Sequence, residues 1–563
     1  MSNNLRRSLI ITLVALMALT VLGAMGCKPK VIEETVTPKN PFEEKGSMAR
    51  LGWQADYPIM DNFLFPLFMS TSGDNKAFYG NPAVDAKLTE ARKTADRDAR
   101  IKLYQEIEKM VGEDQPLIAL VNYRHLRVGS DRIRDFVFNS VSLGSFESAW
   151  IAPDKAATTP VSGGTMSMYI AEPLFIDPYD GQESEGIQVI NCLFDSLVEA
   201  DPATFEIKPA AAESWTANED QSVFTFKLRQ GAKFSNGREV KAGDFKYAWE
   251  RICNKDNAST ISYHLLPVQG AEEMISGEAS SLAGVKVVDD FTLEVTLTQP
   301  MADFIYVASH PSLGPVPKDE VDKDPKKFLD NPIGNGPFKM SEPWKHEQYI
   351  KLSRNDGYYG KKPYLDAVNF KIFKDEETAF TEFEAGNLDF TQIPSGRIAD
   401  VKKKYGESDD GYKVIPGKQS LFGQELSTYY IWFNTSNRVN KDNPLAKPEV
   451  RKAISMAINR QAICDKVYEG TRVPATGAVP SGMPGFQENA WPYNKYDVEA
   501  AKKMLADAGY PNGEGLPAMT LAFNSGSGHE DVMALVQADL KVIGIETTQD
   551  PHEWAEYTGT YLK

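Results

Sequence analysis

The stretch Ser222-Val-Phe-Thr-Phe-Lys-Leu228 alternates apolar and polar side chains, and Thr292-Leu-Glu-Val-Thr-Leu297 repeats the pattern further along. Side chains of a strand point alternately to opposite faces, so both segments predict half-buried strands. Between them Ala242–Arg251 reads as a helix. Working outward, Met48–Trp53 is a short strand-like run, and Pro116–Tyr123 reads as a buried strand. Pro82–Gly112 carries Ile101, Tyr104, Ile107 and Val111 at helical spacing with charges between them. Pro448–Arg460 and Val498–Ala508 predict amphipathic helices, the second closed by Gly509 as its C-cap. Strands interleaved with helices, rather than segregated from them, indicate an α/β protein. No repeat of fixed period is present.

At 563 residues the chain exceeds what one hydrophobic core usually serves, so two or three domains are expected. Its formal net charge is −17, which disfavours a nucleic-acid partner because phosphate binding needs a basic surface. Met1–Arg7 holds Arg6 and Arg7, and Ser8–Gly26 follows without a charge. That is the layout of a secretory signal, with an uncleaved membrane anchor as the alternative reading of the same run. Leu22-Gly23-Ala24-Met25-Gly26-Cys27 resembles the bacterial lipoprotein cleavage box, in which the cysteine becomes the lipidated N-terminus. Residues 28–46 are charged, carry prolines and show no apolar period, so they read as a tether. Cys192, Cys253 and Cys464 are too widely spaced for a metal site and read as small buried hydrophobes. Ala152–Gly164, rich in Pro, Thr, Ser and Gly, reads as a second linker.

Motifs for catalysis do not stand out. Asn524-Ser-Gly-Ser-Gly528 has the wrong spacing for a nucleophile elbow and reads as a flexible turn. Pro332–Phe338 lacks the third glycine and the Lys-Ser/Thr of a phosphate loop. The six histidines are scattered, with no His-Glu-x-x-His arrangement. An enzyme using a cleft is therefore the weaker expectation, and no cofactor or metal is implied.

Several stretches together resemble the oligopeptide/dipeptide family (family 5) of bacterial extracellular solute-binding proteins of ABC importers. They are Ala212–Trp215 continuing through Phe224–Gly237 to Asp244–Arg251, with His310–Pro317, Gly334–Phe338, Arg354–Tyr359 and Val450–Arg460. The resemblance implies a two-lobed periplasmic-binding-protein-like (type II) α/β fold with an additional third domain. It implies capture of oligopeptides between the lobes, delivery to ABC transporter permease subunits, and a monomer at the outer face of the cytoplasmic membrane held by its lipid anchor. A dipeptide, nickel chelate or oligosaccharide is the alternative ligand on the same fold.

Segment order departs from the family. The Trp53–Tyr57 stretch and the strand Pro116–Tyr123 resemble its C-terminal part, yet here they precede Gly163–Ile170, which resembles its mature start. A circularly permuted order, natural or from a rearranged reading frame, is the expectation. The implied division is 1–27 signal peptide, 28–46 tether, 47–129 part of the peptide-binding lobe, and 130–194 part of the first lobe including linker 152–164. Then follow 195–317 as the extra domain, 318–422 as first lobe and 423–563 as second lobe. By the resemblance Asp56 holds the ligand α-ammonium, while Arg50 and His529 meet its carboxylate. Trp53 and Trp554 line side-chain pockets, and Tyr123 and Tyr429 belong to cleft-lining strands. For His529 an exposed loop position is the competing reading. The sequence departs at Tyr468, where the family has a lysine, at Gln182, where it has an acidic residue, and at Ile261 or Tyr263, where it has a tyrosine.

Overall fold

The computed structural model describes residues 41–394, 396–525, 528–553 and 556–557. Cys27 with the signal segment, and Trp554, lie outside the described residues. The opening stretch folds as its pattern predicts. Val223–Leu228 is a strand that buries Phe224, Phe226 and Leu228 and turns Lys227 to solvent. It pairs antiparallel with Thr292–Thr296 on one side and Ala212–Ala217 on the other. Val285–Asp289 completes this four-stranded sheet. The helix Ala242–Cys253 buries Phe245, Ala248, Trp249 and Ile252. These side chains run without a break into the core around Met166, Val368 and Phe370. Segment 195–317 therefore shares its core with the neighbouring lobe instead of enclosing one of its own.

Two large sheets define two lobes. The first has strand order Phe338–Met340, Tyr349–Arg354, Ala367–Ile372, Thr165–Ile170, Phe390–Gln392, Arg127–Gly129 and Ser420–Leu421. In the second the order is Val473–Pro474, Leu117–Arg124, Gln424–Phe433, Met48–Gln54, Met519–Asn524 and Thr547–His552. The chain crosses between them at His125–Leu126, and again at Phe422–Gly423. His125 N–H donates to the Gly423 carbonyl at 2.8 Å, so the two crossings are joined to each other. Gly423 has no room for a side chain: a Cβ would stand 2.4 Å from the Tyr412 ring.

Met48–Gln54 is an inner strand. Seven residue pairs join it antiparallel to Gln424–Phe433, from Met48 opposite Phe433 to Gln54 opposite Ser427. On its other edge Met48 and Ala49 pair parallel with Leu521 and Ala522. Tyr557, fully buried, donates its hydroxyl to the Arg50 carbonyl. Residues from the two ends of the chain thus build one sheet.

Three expectations need correction. The tether was drawn to residue 46, but Pro41–Lys45 is a short helix. Phe42 is buried against Trp432, ring centroids 5.7 Å apart, and Glu43 pairs with Arg438 at 2.7 Å. One aromatic ring and one paired carboxylate suffice to dock a segment that has no apolar period. Pro82–Gly112 is two helices, Pro82–Lys93 and Arg97–Asp114, because Asp96 caps a new N-terminus by accepting from Ala99 N–H at 2.8 Å. Asn459 does the same through Ala462 N–H at 3.0 Å, so Pro448–Ala457 stops before Arg460–Lys466 begins. Residues 153–162 are mostly exposed, and Cys192, Cys253 and Cys464 are buried and unpaired.

Away from the crossings the lobes also meet through buried charge. Arg100 reaches Asp303 at 2.7 Å across the junction, and beside it, within one lobe, Arg92 reaches Asp61 at 3.0 Å. The Tyr104 hydroxyl joins the two carboxylates, at 3.0 Å from Asp61 and 3.1 Å from Asp303. Ala302 N–H donates to the Arg92 carbonyl at 2.7 Å. Burial pushes the Asp303 carboxyl upward and Arg100 opposes that push, so the pair stands or falls together. Asp303→Asn leaves Arg100 buried beside a neutral amide. The expected cost is about 3–5 kcal/mol, the scale for breaking a buried pair by removing one partner. Urea unfolding of the variant beside the parent protein measures it.

Candidate functional site

Past the end of the inner strand, the chain turns at Asp56 into the space between the lobes. Two adjoining cavities open there. One of about 590 Å³ is lined by Trp53, Asp56, Gln182, Glu183, Tyr263 and His310, among others. A second of about 420 Å³ is lined by Asp56, Asn139, Glu147, Glu199 and His310, among others. Asp56 and His310 belong to both.

The Asp56 carboxylate is held by two donors. Asn62 Nδ2 donates to Oδ2 at 3.0 Å, and the Tyr263 hydroxyl donates to Oδ1 at 2.8 Å. Asp56 N–H returns a bond to Asn62 Oδ1 at 3.0 Å, so the backbone turn and the carboxylate orientation are fixed by one side chain. Burial drives the Asp56 carboxyl above its usual range, and the Asn62 bond only partly offsets this. Among the described residues no lysine or arginine lies within ion-pair distance of it. The charged side chains lining the first cavity are Asp56, Asp74, Glu183 and Glu185, and none is basic. His310 supplies no charge either: burial and the neighbouring His264 push it down to about 3. Its Nδ1 accepts from Ser312 N–H at 3.3 Å, which leaves Nε2 as the protonated nitrogen.

A different balance holds further back on the same strand. Arg50 is 8% exposed and its guanidinium lies 4.6 Å over the Tyr429 ring. Its Nη1 donates to Asn524 Oδ1 at 2.6 Å, while Nε is buried with no acceptor. His529 opens the helix His529–Val542 and is buried, not exposed as the competing reading had it. Burial and then Arg50 push it down to about 4, and its Nδ1 stands 3.3 Å from the Tyr429 hydroxyl. Tyr429 itself is 0% exposed, so it supports Arg50 and His529 from beneath instead of lining open space. The Tyr123 hydroxyl lies over Gly52, 3.8 Å from where a Cβ would stand, and the Tyr123 and Tyr429 rings are 6.5 Å apart. Trp53 lines the first cavity with its Nε1 buried and without an acceptor.

The structure therefore brings Trp53 and Asp56 together at the cavities, and Arg50, Tyr123, Tyr429 and His529 together on the sheet behind them. Of the two positions left open for a tyrosine, Ile261 is buried in the core and Tyr263 meets Asp56. Asn62 and His310 carried no signal of their own in the sequence. Among the described residues there is no group of three or more His, Cys, Asp or Glu able to hold a metal ion. No helix among them is long and apolar enough to cross a membrane.

Two α/β lobes joined by paired crossings, with an orphan carboxylate in the space between, define a two-lobed solute-binding protein. Comparison with known proteins gives the family. The model of bacterial extracellular solute-binding proteins, family 5 (middle), matches residues 206–563, and the chain belongs to that family. The oligopeptide-binding protein OppA of Bacillus subtilis (strain 168) is 31% identical over 397 residues, covering 69% of this chain and 70% of the relative. The dipeptide-binding protein DppE of the same organism is 31% identical over 417 residues, covering 71% and 72%. Among solved structures, the Escherichia coli murein tripeptide-binding protein MppA aligns with a TM-score of 0.53 at 26% identity, covering 71% of this chain and 77% of that one.

Burial of the Asp56 carboxylate costs stability where the group is ionised. A folded pKa raised above the unfolded value means that stability present at low pH is lost as pH rises through the raised value. Asp56→Asn should therefore melt above the parent protein at pH 8 when both are ligand-free. Below the ordinary carboxylate range the two should melt together, as calorimetric scans at each pH will show.

Proposed function

We propose that the protein captures oligopeptides between its lobes, Asp56 pairing the ligand α-ammonium and Arg50, with His529, meeting its carboxylate. The observation that carries this reading is the separation of uncompensated charge along one strand. Asp56 has donors but no cation, and Arg50 has a buried Nε but no anion. A zwitterion laid along the strand supplies both, and desolvating its charged ends unpaired would cost several kcal/mol. The four strand steps from Arg50 to Gln54 alone span roughly 13 Å before the chain turns to Asp56, which favours a ligand of several residues over a dipeptide. Backbone bonds to an extended ligand read no side-chain identity, which is how such a site accepts many sequences. The relatives named above, binders of oligopeptides, dipeptides and a murein tripeptide, support a peptide ligand.

Delivery to ABC transporter permease subunits, anchorage by a lipid on Cys27, and work as a monomer at the outer face of the membrane belong to the same reading. So does the permuted order, with 195–317 as the extra domain. Its support is twofold. The family model begins at residue 206, yet the inner strand Met48–Gln54 lies far upstream of it. Collinear alignment also stops near 70% of both this chain and the relative, as a displaced segment would require.

Asp56→Asn should weaken peptide binding by roughly 2–5 kcal/mol, the scale for truncating a buried charge pair. Calorimetry should also find that Nα-acetylated peptides bind the parent protein poorly; equal affinity for free and acetylated peptides would remove Asp56 from this role. Native mass spectrometry of the purified protein should show co-purifying peptide masses. For the anchor, Cys27→Ser should abolish incorporation of labelled palmitate while leaving the binding of peptides by the body unchanged.

A further inference from the structure

Among the described residues Arg50 and Arg472 are two guanidiniums of this sheet with no carboxylate at ion-pair distance, and Arg124, whose Nε is likewise buried without an acceptor, is a third. Arg472, just before the strand Val473–Pro474, lies 4.3 Å over the Tyr123 ring and 5.5 Å from the Tyr468 ring. Tyr123 in turn faces Tyr429, on which Arg50 rests, so the order is Arg472, Tyr123, Tyr429, Arg50. Both arginines donate only to neutral acceptors: Arg50 to the Asn524 amide oxygen, Arg472 from Nη1 to the Arg124 carbonyl at 3.1 Å. Nε of each is buried with no acceptor. Neither has a carboxylate within ion-pair distance, although shorter surface pairs abound elsewhere in the molecule. The carboxylate whose field reaches Arg472 is Glu425, and it is already engaged by His125 Nδ1 at 3.1 Å and shared with Arg127.

A guanidinium presents a planar fork matched to a carboxylate, and one left half-buried without an anion keeps that recognition capacity free. One α-carboxylate can satisfy one such fork. We propose that Arg472 is a specificity-determining residue that binds a second carboxylate, the acidic side chain of the ligand's C-terminal residue, beside the α-carboxylate held at Arg50. The inference rests on the peptide reading above and adds a substrate class to it: peptides that end in glutamate or aspartate. Tyr123 and Tyr468 flank the Arg472 fork, and the carbonyl of Arg124 holds Nη1, so Nη2, beside a buried Nε with no acceptor, is the terminal nitrogen left to bind. The tyrosines beside it also keep the site half-buried, where a charge-assisted bond is stronger than in open water.

The test is titration calorimetry with the tetrapeptides Ala-Ala-Ala-Glu and Ala-Ala-Ala-Gln on the full-length protein. The glutamate peptide should bind roughly tenfold tighter or more, the scale of one charge-assisted bond. Arg472→Gln should erase that preference, read as the ratio of the two affinities measured on the same variant. Should Arg472→Gln fail to fold, Arg472→Lys takes its place: a point charge without the planar fork should narrow that ratio. Equal affinity of the parent protein for the two peptides overturns the proposal while the peptide reading stands. So does an undiminished preference in a folded Arg472 variant. Absence of heat with either peptide overturns the peptide reading, and this proposal with it.

Discussion

The strand Met48–Gln54 is hydrogen-bonded on both edges, and everything at the site is placed from it. Remove it and Gln424–Phe433 would face Met519–Asn524 across an empty track, each with a row of unpaired backbone groups. An inner strand has no freedom of register, since a slip of one residue exchanges its two faces. One face of this strand carries Arg50 and Gly52 toward Tyr429 and Tyr123, and the other carries Leu51 and Trp53 toward the core under the cleft. The same pairing delivers Asp56 to the interlobe space, where the bond from Ala55 N–H to the Leu426 carbonyl, 2.8 Å, carries the sheet's hydrogen bonding one step past the strand's end.

What the strand places is a separation of charge that the protein does not neutralise by itself. Some buried charges of this molecule are paired, Arg92 with Asp61, Arg100 with Asp303 and Arg251 with Asp177, while others, Arg451 and Arg460, are met by neutral acceptors. Arg50 and Arg472 differ from these in keeping a buried Nε with no acceptor. The histidines near them do not fill the gap. Burial holds His264, His310 and His529 neutral, so they contribute hydrogen-bonding atoms and packing surface and no counter-charge. His264 and His310 lie with ring centroids 4.4 Å apart under the Asp56 turn, a contact that two imidazolium rings could not tolerate.

Much of this was legible in the sequence because local chemistry dictated it. Alternation in Val223–Leu228, the Pro-led helix at Pro448 and the glycine stop after Val498–Asp507 each express a rule that acts within a few residues. The helix breaks at Thr94–Asp96 and at Ile458–Asn459 were missed because the apolar period runs on across them, and a single capping side chain outweighs it. At the site, Asp56, Trp53 and Arg50 could be named because they stand close together in one recognisable stretch. Tyr263 remained one of two choices, since its meeting with Asp56 joins positions more than two hundred residues apart. Asn62 and Arg472 had nothing to distinguish them from the many other polar residues of an acidic chain, and His310, though it opens a stretch that resembles the family, gave no sign of its place beside Asp56; only the tertiary fold shows what each of them meets. Phe42 shows the converse, a lone aromatic in a polar stretch whose docking on Trp432 no periodicity could reveal.

The guanidinium end of the sheet adjoins the crossings between the lobes, since Arg472 donates to the carbonyl of Arg124, the residue before His125. His125 lies in one crossing and donates its N–H to Gly423 in the other. Its ring sits between Glu425 Oε1 at 3.1 Å and the Asn139 carbonyl at 2.8 Å, one acceptor from each side of the junction. Glu425 is held below the ordinary carboxylate range against the cost of its burial: the His125 hydrogen bond and the charges of His125, Arg127 and Arg472 together outweigh that cost.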